Sequence, residues 1–258
     1  MKVTYLGHSG FLLETDAAYF MFDYYTGKIP ELNKEKPLLI FSSHRHPDHY
    51  NREIWKLRKQ YPKVQYILSK DINFSQKAVT KLGLTEEEAS KVIRLAGNAD
   101  RTLKLANGHS VRIETFRSTD EGVAFYLTID KKTTVFHAGD LHLWLWEEEG
   151  SGYMKQMEKN FYQFTQKLKG RHTDIAFLLL DPRLENHTFD GMDAYIEMLH
   201  PSVVFPMHMW DKYYWIDRYL KARPEIKRSG IMKKMEAPGQ SFHIYGIMSA
   251  REPTYLYD

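Results

Sequence analysis

Apolar and polar positions alternate along the N-terminal stretch. Residues 2–6, 10–14 and 18–23 read as short β runs separated by Gly and Asp, a meander that ends at Asp23. From residue 51 the period changes. Ile54, Leu57, Arg58 and Tyr61 recur at helical spacing, and Val64 to Leu68 then reads as a strand. Thr85-Glu86-Glu87-Glu88 has the form of a capping box ahead of Ala89, Val92 and Ile93, so the stretch from about 73 to 95 is predicted to be helical and peripheral. Asn107-Gly108 lies between Thr102–Leu105 and Val111–Glu114 and predicts a hairpin, since both turn residues tolerate positive φ. A second hairpin is predicted to pair 123–129 with 133–137 across Asp130-Lys131-Lys132.

Beyond these hairpins helices and strands alternate. Met154, Met157, Phe161, Phe164 and Leu168 form one helical apolar stripe, and Met192, Ile196 and Leu199 form another. Residues 175–180 read as a buried strand, and 203–206 as the strand that delivers His208. Stripes of this kind are read as core rather than as a cofactor box. No internal repeat or low-complexity tract is visible. The pattern predicts an α+β fold of two sheets under helices, in one domain spanning 1–258.

Composition narrows the class. A chain of 258 residues with 43 % hydrophobic and 27 % charged positions can bury a full core. Its net charge of +3 is far from the clustered basic excess of a phosphate-backbone binder, which argues against nucleic acid as a partner. The absence of cysteine removes disulfides, thiolate ligands and a cysteine nucleophile together. No charged-then-apolar leader precedes the first strand and no apolar span approaches membrane length, so a cytoplasmic location without membrane contact is expected. Oligomeric state is not legible.

One segment concentrates chemistry. His44-Arg45-His46-Pro47-Asp48-His49 follows the apolar run Leu38–Phe41 and places three histidines and an aspartate in six positions. Imidazole and carboxylate are ligands that divalent transition metals prefer, and Pro47 biases His46 toward an extended conformation. A metal site is the reading, against a solvated His-rich turn.

With that motif the chain resembles the metallo-β-lactamase superfamily of metal-dependent hydrolases. The opening Met1–Phe11, with Gly7-His8-Ser9-Gly10, is similar to the first strand of the branch that contains L-ascorbate-6-phosphate lactonase. Phe22-Asp23, Phe136-His137-Ala138-Gly139-Asp140 and Val204-Phe205-Pro206-Met207-His208 follow in the family's order. The resemblance implies a four-layer αββα sandwich with the site at one end of the sheets. It also implies roles: His44 and His46 as ligands of a first metal, Asp48, His49 and His208 as ligands of a second, and Asp140 as the carboxylate that bridges both. The family normally supplies a third histidine to the first metal from the loop that here reads Arg117-Ser118-Thr119-Asp120-Glu121, which has none. Asp120 is the leading replacement. A ligand water held by Ser118 or Thr119, a weak first site, or a plain turn aspartate are the alternatives.

The expected function is that of a metal-dependent hydrolase, using a metal-activated hydroxide on a small ester, lactone or phosphoester. One or two divalent ions are expected, zinc first, with manganese or iron as alternatives. Asp48 is expected both to bind metal and to orient the hydroxide. The acid for the leaving group is expected from His142 or His187, with His8 as a third candidate; for His8 and His137 a role in fixing ligand orientation is the stronger reading. Two aromatic groups, Trp144 with Trp146 and Trp210 with Tyr213, Tyr214 and Trp215, are expected to wall a pocket for a small-molecule substrate. Arg45 and Arg183 are candidate anchors for an anionic group on it. The alternatives are a nuclease or cyclic phosphodiesterase of the same superfamily, or a degenerate member that binds metal or metabolite without turnover. An oxygen- or nitric-oxide-reducing di-iron enzyme is disfavoured by His46, where that branch has glutamate, and an exported β-lactamase by the lack of a leader.

Overall fold

The computed structural model describes residues 1–245, so residues 246–258, which the single-domain expectation includes, lie outside the described residues. Among the described residues thirteen strands form two mixed sheets. They are β1 (Lys2–Gly7), β2 (Gly10–Glu14), β3 (Tyr19–Phe22), β4 (Leu38–Ser42), β5 (Val64–Ser69), β6 (Ile93–Leu95), β7 (Asp100–Lys104), β8 (Ser110–Arg117), β9 (Val123–Ile129), β10 (Thr133–His137), β11 (Ile175–Leu179), β12 (Val203–Met207) and β13 (Ser241–His243). The first sheet runs β13-β1-β2-β3-β4-β5-β6 and the second β12-β11-β10-β9-β8-β7. Each combines an antiparallel meander with parallel strands: β3 pairs β4 in parallel, and β10 pairs β11.

Period-two alternation sorts the side chains of the first sheet between two cores. Phe11, Leu13, Phe20, Phe22, Leu39 and Phe41 face the second sheet, where Phe11 meets Phe177 at 4.4 Å and Phe41 meets Phe125 at 5.2 Å between ring centroids. Leu12, Tyr19, Met21, Leu38 and Ile40 face outward and are covered by Ile54, Trp55 and Leu57 of the 52–59 helical segment and by Val79 and Leu84. The helices Gly150–Thr165 and Asp190–Leu199 cover the second sheet, burying Met157, Phe161, Met192 and Leu199. The result is the four-layer αββα sandwich. Among the described residues no helix is long and apolar enough to cross a membrane.

Several expectations need correction. The 51–61 periodicity forms a 3₁₀ helix, Arg52–Lys59, capped by the side chain of Asn51. The predicted helix over 73–95 is two short helices, Gln76–Lys81 and Glu86–Ser90, followed by β6. The capping box is present, with the Thr85 amide donating to Glu88 at 2.8 Å and the Glu88 amide to Thr85 Oγ1 at 3.1 Å. The helix nevertheless ends at Ser90 with Lys91 as its C-cap, and from Ile93 the backbone pairs in parallel with β5. In the first hairpin only Gly108 has positive φ; in the second, Asp130 and Lys131 both do.

Two glycines let the loops at one end of the sandwich meet. Gly122 (φ +69°) lies where a Cβ would be 2.0 Å from the Ser43 carbonyl oxygen and 2.6 Å from the His44 Cβ, and at Gly139 (φ +51°) a Cβ would be 2.7 Å from that of Ser43. The turn after β8 and the loop after β10 are thereby pressed onto the His-rich loop after β4. We expect Gly122→Ala to cost about 2 kcal/mol or more from backbone strain and collision, lowering Tm by roughly 4–8 °C. Gly152→Ala, on an exposed helical turn with nothing within 4 Å, should instead stabilise by ~0.5–1 kcal/mol. Thermal denaturation of both variants checks this, and similar effects would contradict it.

Candidate metal centre

Every residue of the centre leaves the carboxyl end of a strand. His8 follows β1, Asp23 β3, the 43–49 loop β4, the 118–122 turn β8, Asp140 β10, Asp181 β11 and His208 β12. These strands point the same way within their sheets, which brings their loops together at one edge of the sandwich. His8 (φ 54°), Asp23 (φ 39°) and His208 (φ 66°) adopt the left-handed region that non-glycine residues rarely occupy. The His208 amide also donates to the His8 carbonyl at 3.3 Å, tying the two sheets together beside the site.

The side chains form two groups. In one, donor atoms of His44, His46, Asp120 and Asp140 lie within 4.8 Å of one another; in the other, those of His8, Asp48, His49 and His208 do. Asp140 joins them. Its Oδ2 is 3.6 Å from His44 Nε2, while its Oδ1 is 3.2 Å from His49 Nε2 and 3.6 Å from His208 Nε2. Asp48 Oδ2 lies 3.2 Å from His8 Nε2, 3.6 Å from His49 Nε2 and 3.9 Å from His208 Nε2. Bonds of about 2.0–2.2 Å at tetrahedral angles put ligand atoms roughly 3.3–3.6 Å apart, so most of these separations suit a shared cation better than a direct hydrogen bond. The Nε2 atoms of His8, His44, His49 and His208 and Oδ1 of Asp140 are buried with no hydrogen-bond partner among the described residues. Orphaned polar atoms are costly, and converging ones mark a cation site.

The outer hydrogen bonds aim those lone pairs. Asp23, wholly buried, accepts from the Ser43 amide at 2.7 Å, the Ser43 hydroxyl at 2.6 Å and His49 Nδ1 at 2.7 Å. Because the Ser43 hydroxyl donates to Asp23, its oxygen accepts from His44 Nδ1 at 2.9 Å. Asp181 accepts from His208 Nδ1 at 2.8 Å. All three imidazoles are thus protonated on Nδ1 and present Nε2 inward. His137 is different: its Nε2 donates to the Ser9 carbonyl and its Nδ1 accepts from the Gly139 amide, which leaves no lone pair free and makes it a support for both loops.

Charge follows the same design. Burial works against ionising Asp23, yet the facing imidazoles of His137, His49 and His44 hold it down to about 2. Burial holds His44 down to about 2 and pushes Asp140 up. Burial also opposes a charge on His49, but the carboxylates of Asp140 and Asp23 outweigh it and lift the group to about 9. A proton there competes with a cation for the same lone pair.

All seven residues expected as ligands fall in the two groups. Asp120 stands beside His46, with its Oδ2 3.7 Å from Nδ1, in the place where the third histidine was missing. His8, read from sequence chiefly as a support or proton donor, joins the second group. Its signal was the Gly7-His8-Ser9 turn, where only a fixed left-handed backbone turns the ring inward. Asp23, Ser43 and Asp181 had no assigned role, since nothing in a sequence marks a buried acceptor at a strand end.

Two expected acids lie elsewhere. His142 is fully buried, packed so closely on Gly191 that a Cβ there would be 2.2 Å from the ring, and burial holds it down to about 4, so it is neutral and sealed from solvent. His187 points to Asp190 at 2.7 Å and to Glu147 at 3.5 Å. Neither lines the cavity over the centre. That cavity, of about 300 Å³, is lined by His46, Asp48, Asp120 and Asp140 on its floor and by Trp144, Trp146, Trp210 and Arg183 among its walls. Tyr213, Tyr214 and Trp215 do not line it; Tyr213 donates to Asp211, and Tyr214 and Trp215 open the helix Tyr214–Ala222. Arg45 also turns away, pairing with Glu121.

The chain and its fold have known relatives. The family model "Beta-lactamase superfamily domain" matches residues 2–155, more than half of the chain. A "UPF0173 metal-dependent hydrolase" of Opitutus terrae is 25 % identical over 252 residues, covering 95 % of this chain and 100 % of that protein. Igni18, a metallo hydrolase from Ignicoccus hospitalis, superposes with a TM-score of 0.57 at 20 % identity over 94 % of this chain and 98 % of its own. CmlA, a diiron β-hydroxylase from Streptomyces venezuelae, gives 0.58 at 15 % identity over 94 % of this chain and 54 % of its own. With the domain matched across the His-rich loop and Asp140, and the sandwich shared end to end with a metallo hydrolase, the chain belongs to the metallo-β-lactamase superfamily.

Proposed function

We propose that the chain is a metal-dependent hydrolase of a small ester-like substrate. The observation that carries this is Asp140, whose two oxygens face two separate groups of inward-aimed imidazoles at the floor of a cavity. The donor set is nitrogen and oxygen without sulfur, which suits zinc, manganese or iron. His44, His46, Asp120 and Asp140 would hold one ion, and His8, Asp48, His49 and His208 with the second oxygen of Asp140 the other. Ions bound there supply a Lewis acid for the substrate's carbonyl or phosphoryl oxygen and lower the pKa of a coordinated water.

The chain's own residues do the rest. Asp48 is the ligand-group carboxylate of the buried set that reaches the cavity, with 22 % of its side chain exposed, so it can orient an attacking water and accept its proton. With His142 and His187 outside the cavity, the same carboxyl is placed to return that proton to the leaving group. The tryptophan walls exclude water from the reacting end and favour an apolar substrate body. A cavity of about 300 Å³ fits a small molecule and supports that reading over a nuclease. Within esters, a lactone is the most specific reading, from the Gly7-His8-Ser9-Gly10 opening that resembles the lactonase branch.

Protein purified without chelator should carry at least one zinc, manganese or iron per chain by elemental analysis. A chain that stays metal-free after reconstitution would sink the proposal. His46→Ala, Asp140→Ala and His208→Ala should each lower kcat/KM on a small ester and lactone panel by more than the ~10–100-fold typical of losing an outer hydrogen-bond partner, with an unchanged circular dichroism spectrum. Full activity in Asp140→Ala would remove it from the centre.

Asp120 gives a sharper test. Asp120→Asn removes one ligand charge from the group that has only two histidines and should lower the metal count from two toward one. Asp120→His should keep two and shift preference toward zinc. An unchanged count in Asp120→Asn would mean that Asp120 is a turn residue.

A further inference from the structure

Arg183 occupies a position that holding Asp181 does not require. Its Nε and Nη2 engage both Asp181 oxygens, at 3.0, 3.0 and 2.5 Å, and the Asp181 carboxylate also accepts from the Arg183 amide at 2.9 Å. Nη1 has no acceptor among the described residues, and 44 % of the side chain is exposed, on the cavity wall. The guanidinium carbon lies 4.8 Å from the ring centroid of Trp210, 5.6 Å from Trp146 and 5.9 Å from Trp144. Three of the chain's five tryptophans therefore surround one fixed cation beside the metal centre. A clamp on Asp181 needs neither the aromatic surround nor the open Nη1 edge.

We propose that Arg183 and the tryptophans form a substrate subsite for an anionic group borne on a flat apolar body, such as an aromatic or unsaturated ring carrying a carboxylate, sulfonate or phosphate. This rests on the hydrolase reading for the identity of the reaction, but not for the binding itself. The free edge of the guanidinium is the hydrogen-bond donor for the anion, and the ring surfaces of Trp146 and of Trp210, 40 % exposed, take the apolar body. Position follows from a shared carboxylate. Asp181 binds Arg183 on one side and His208 Nδ1 on the other, so the anion site is held at a fixed offset from a ligand of the centre. Arg183 is thus a specificity-determining residue. Its side chain is ordered before substrate arrives, which spares the rotamer entropy an unpaired arginine would lose on binding.

Asp181 offsets the Arg183 charge, so the anion is held by the unused guanidinium N–H donors and the aromatic surround, while Asp48 and Asp140 face the imidazoles of the donor groups. Of the two arginines the sequence offers beside the site, Arg45 is paired with Glu121 and lies off the cavity.

The test uses the metal-loaded full-length chain and two probes of equal shape, naphthalene-2-sulfonate and its neutral methyl sulfone, titrated by tryptophan fluorescence. Sulfonate is a poor ligand for divalent metals, so the comparison reads the guanidinium. The wild-type chain should bind the sulfonate at least ~10-fold tighter than the sulfone, a difference of about 1.4 kcal/mol. Arg183→Met should abolish that preference while leaving the affinity for the sulfone and the metal content within twofold. Equal binding of both probes by the wild type, or a preference retained in Arg183→Met, would overturn the subsite. If Arg183→Met loses metal or does not fold, Arg183→Gln, which keeps a hydrogen bond to Asp181 without the charge, carries the same comparison. Absence of ester hydrolysis with the sulfonate preference intact would sink the hydrolase reading alone. Hydrolysis of matched neutral and anionic naphthyl esters at equal kcat/KM would sink the subsite alone.

Discussion

A single buried carboxylate, Asp23, fixes the geometry on which the centre depends. It is fully removed from solvent at the end of β3, and its bonds to Ser43 and His49 lock the start of the His-rich loop and the tautomer of its last histidine. Through the Ser43 hydroxyl it also decides which nitrogen of His44 faces inward. A buried carboxylate without such partners would cost several kcal/mol and protonate instead. Here the partners are themselves ligand supports, so stabilising Asp23 and aiming the imidazoles are one arrangement. Asp181 repeats it on the other sheet for His208.

Seven strand ends must converge for this to work, and the fold carries strain at their loops. Gly122 and Gly139 permit backbone contacts that no side chain would allow, and His8, Asp23 and His208 hold left-handed conformations. Each costs on the order of 1–3 kcal/mol and survives because two apolar cores over-determine the sheets beneath. The centre is therefore built on rigid strands, while the tryptophans that line the cavity, Trp144, Trp146 and Trp210, come from the loops that follow. The fold itself is shared by a metallo hydrolase and a diiron hydroxylase.

Much of this was legible in the chain. Alternating or continuous apolar runs located β1 to β3, β5 and β8 to β12 closely, and the apolar run Leu38–Phe41 fell on β4, because each of those strands buries at least one face. β6 and β13, three residues each at sheet edges, escaped, since their pairing is decided by the neighbouring strand and not by local pattern. The site divided the same way. His44, His46, Asp48 and His49 announce themselves by density, and Asp140 and His208 by following strands that a family resemblance orders. Orientation is what a sequence cannot carry. His142 is two residues from Asp140 yet turns into the core, Arg45 sits inside the ligand motif yet pairs outward, and His8 and Arg183 turn inward only because a strained turn and a neighbouring aspartate hold them. The loop without a histidine was readable as a departure; that Asp120 stands beside His46 required the close approach of Gly122 to His44.

The chemistry that results is asymmetric. One group has three histidines and is almost wholly buried, whereas the other has two histidines and two aspartates and opens to the cavity through His46 and Asp120, 42 % and 40 % exposed. Asp140 faces both groups, one carboxylate oxygen toward each, and the account rests on its bridging them. An anomalous-scattering map collected at the metal edge from crystals of reconstituted protein tests this most directly. The account predicts two peaks on opposite sides of the Asp140 carboxylate, one among His8, Asp48, His49 and His208 and one among His44, His46 and Asp120. A single peak with Asp140 bound through one oxygen, or two peaks neither of which contacts Asp140, would contradict it.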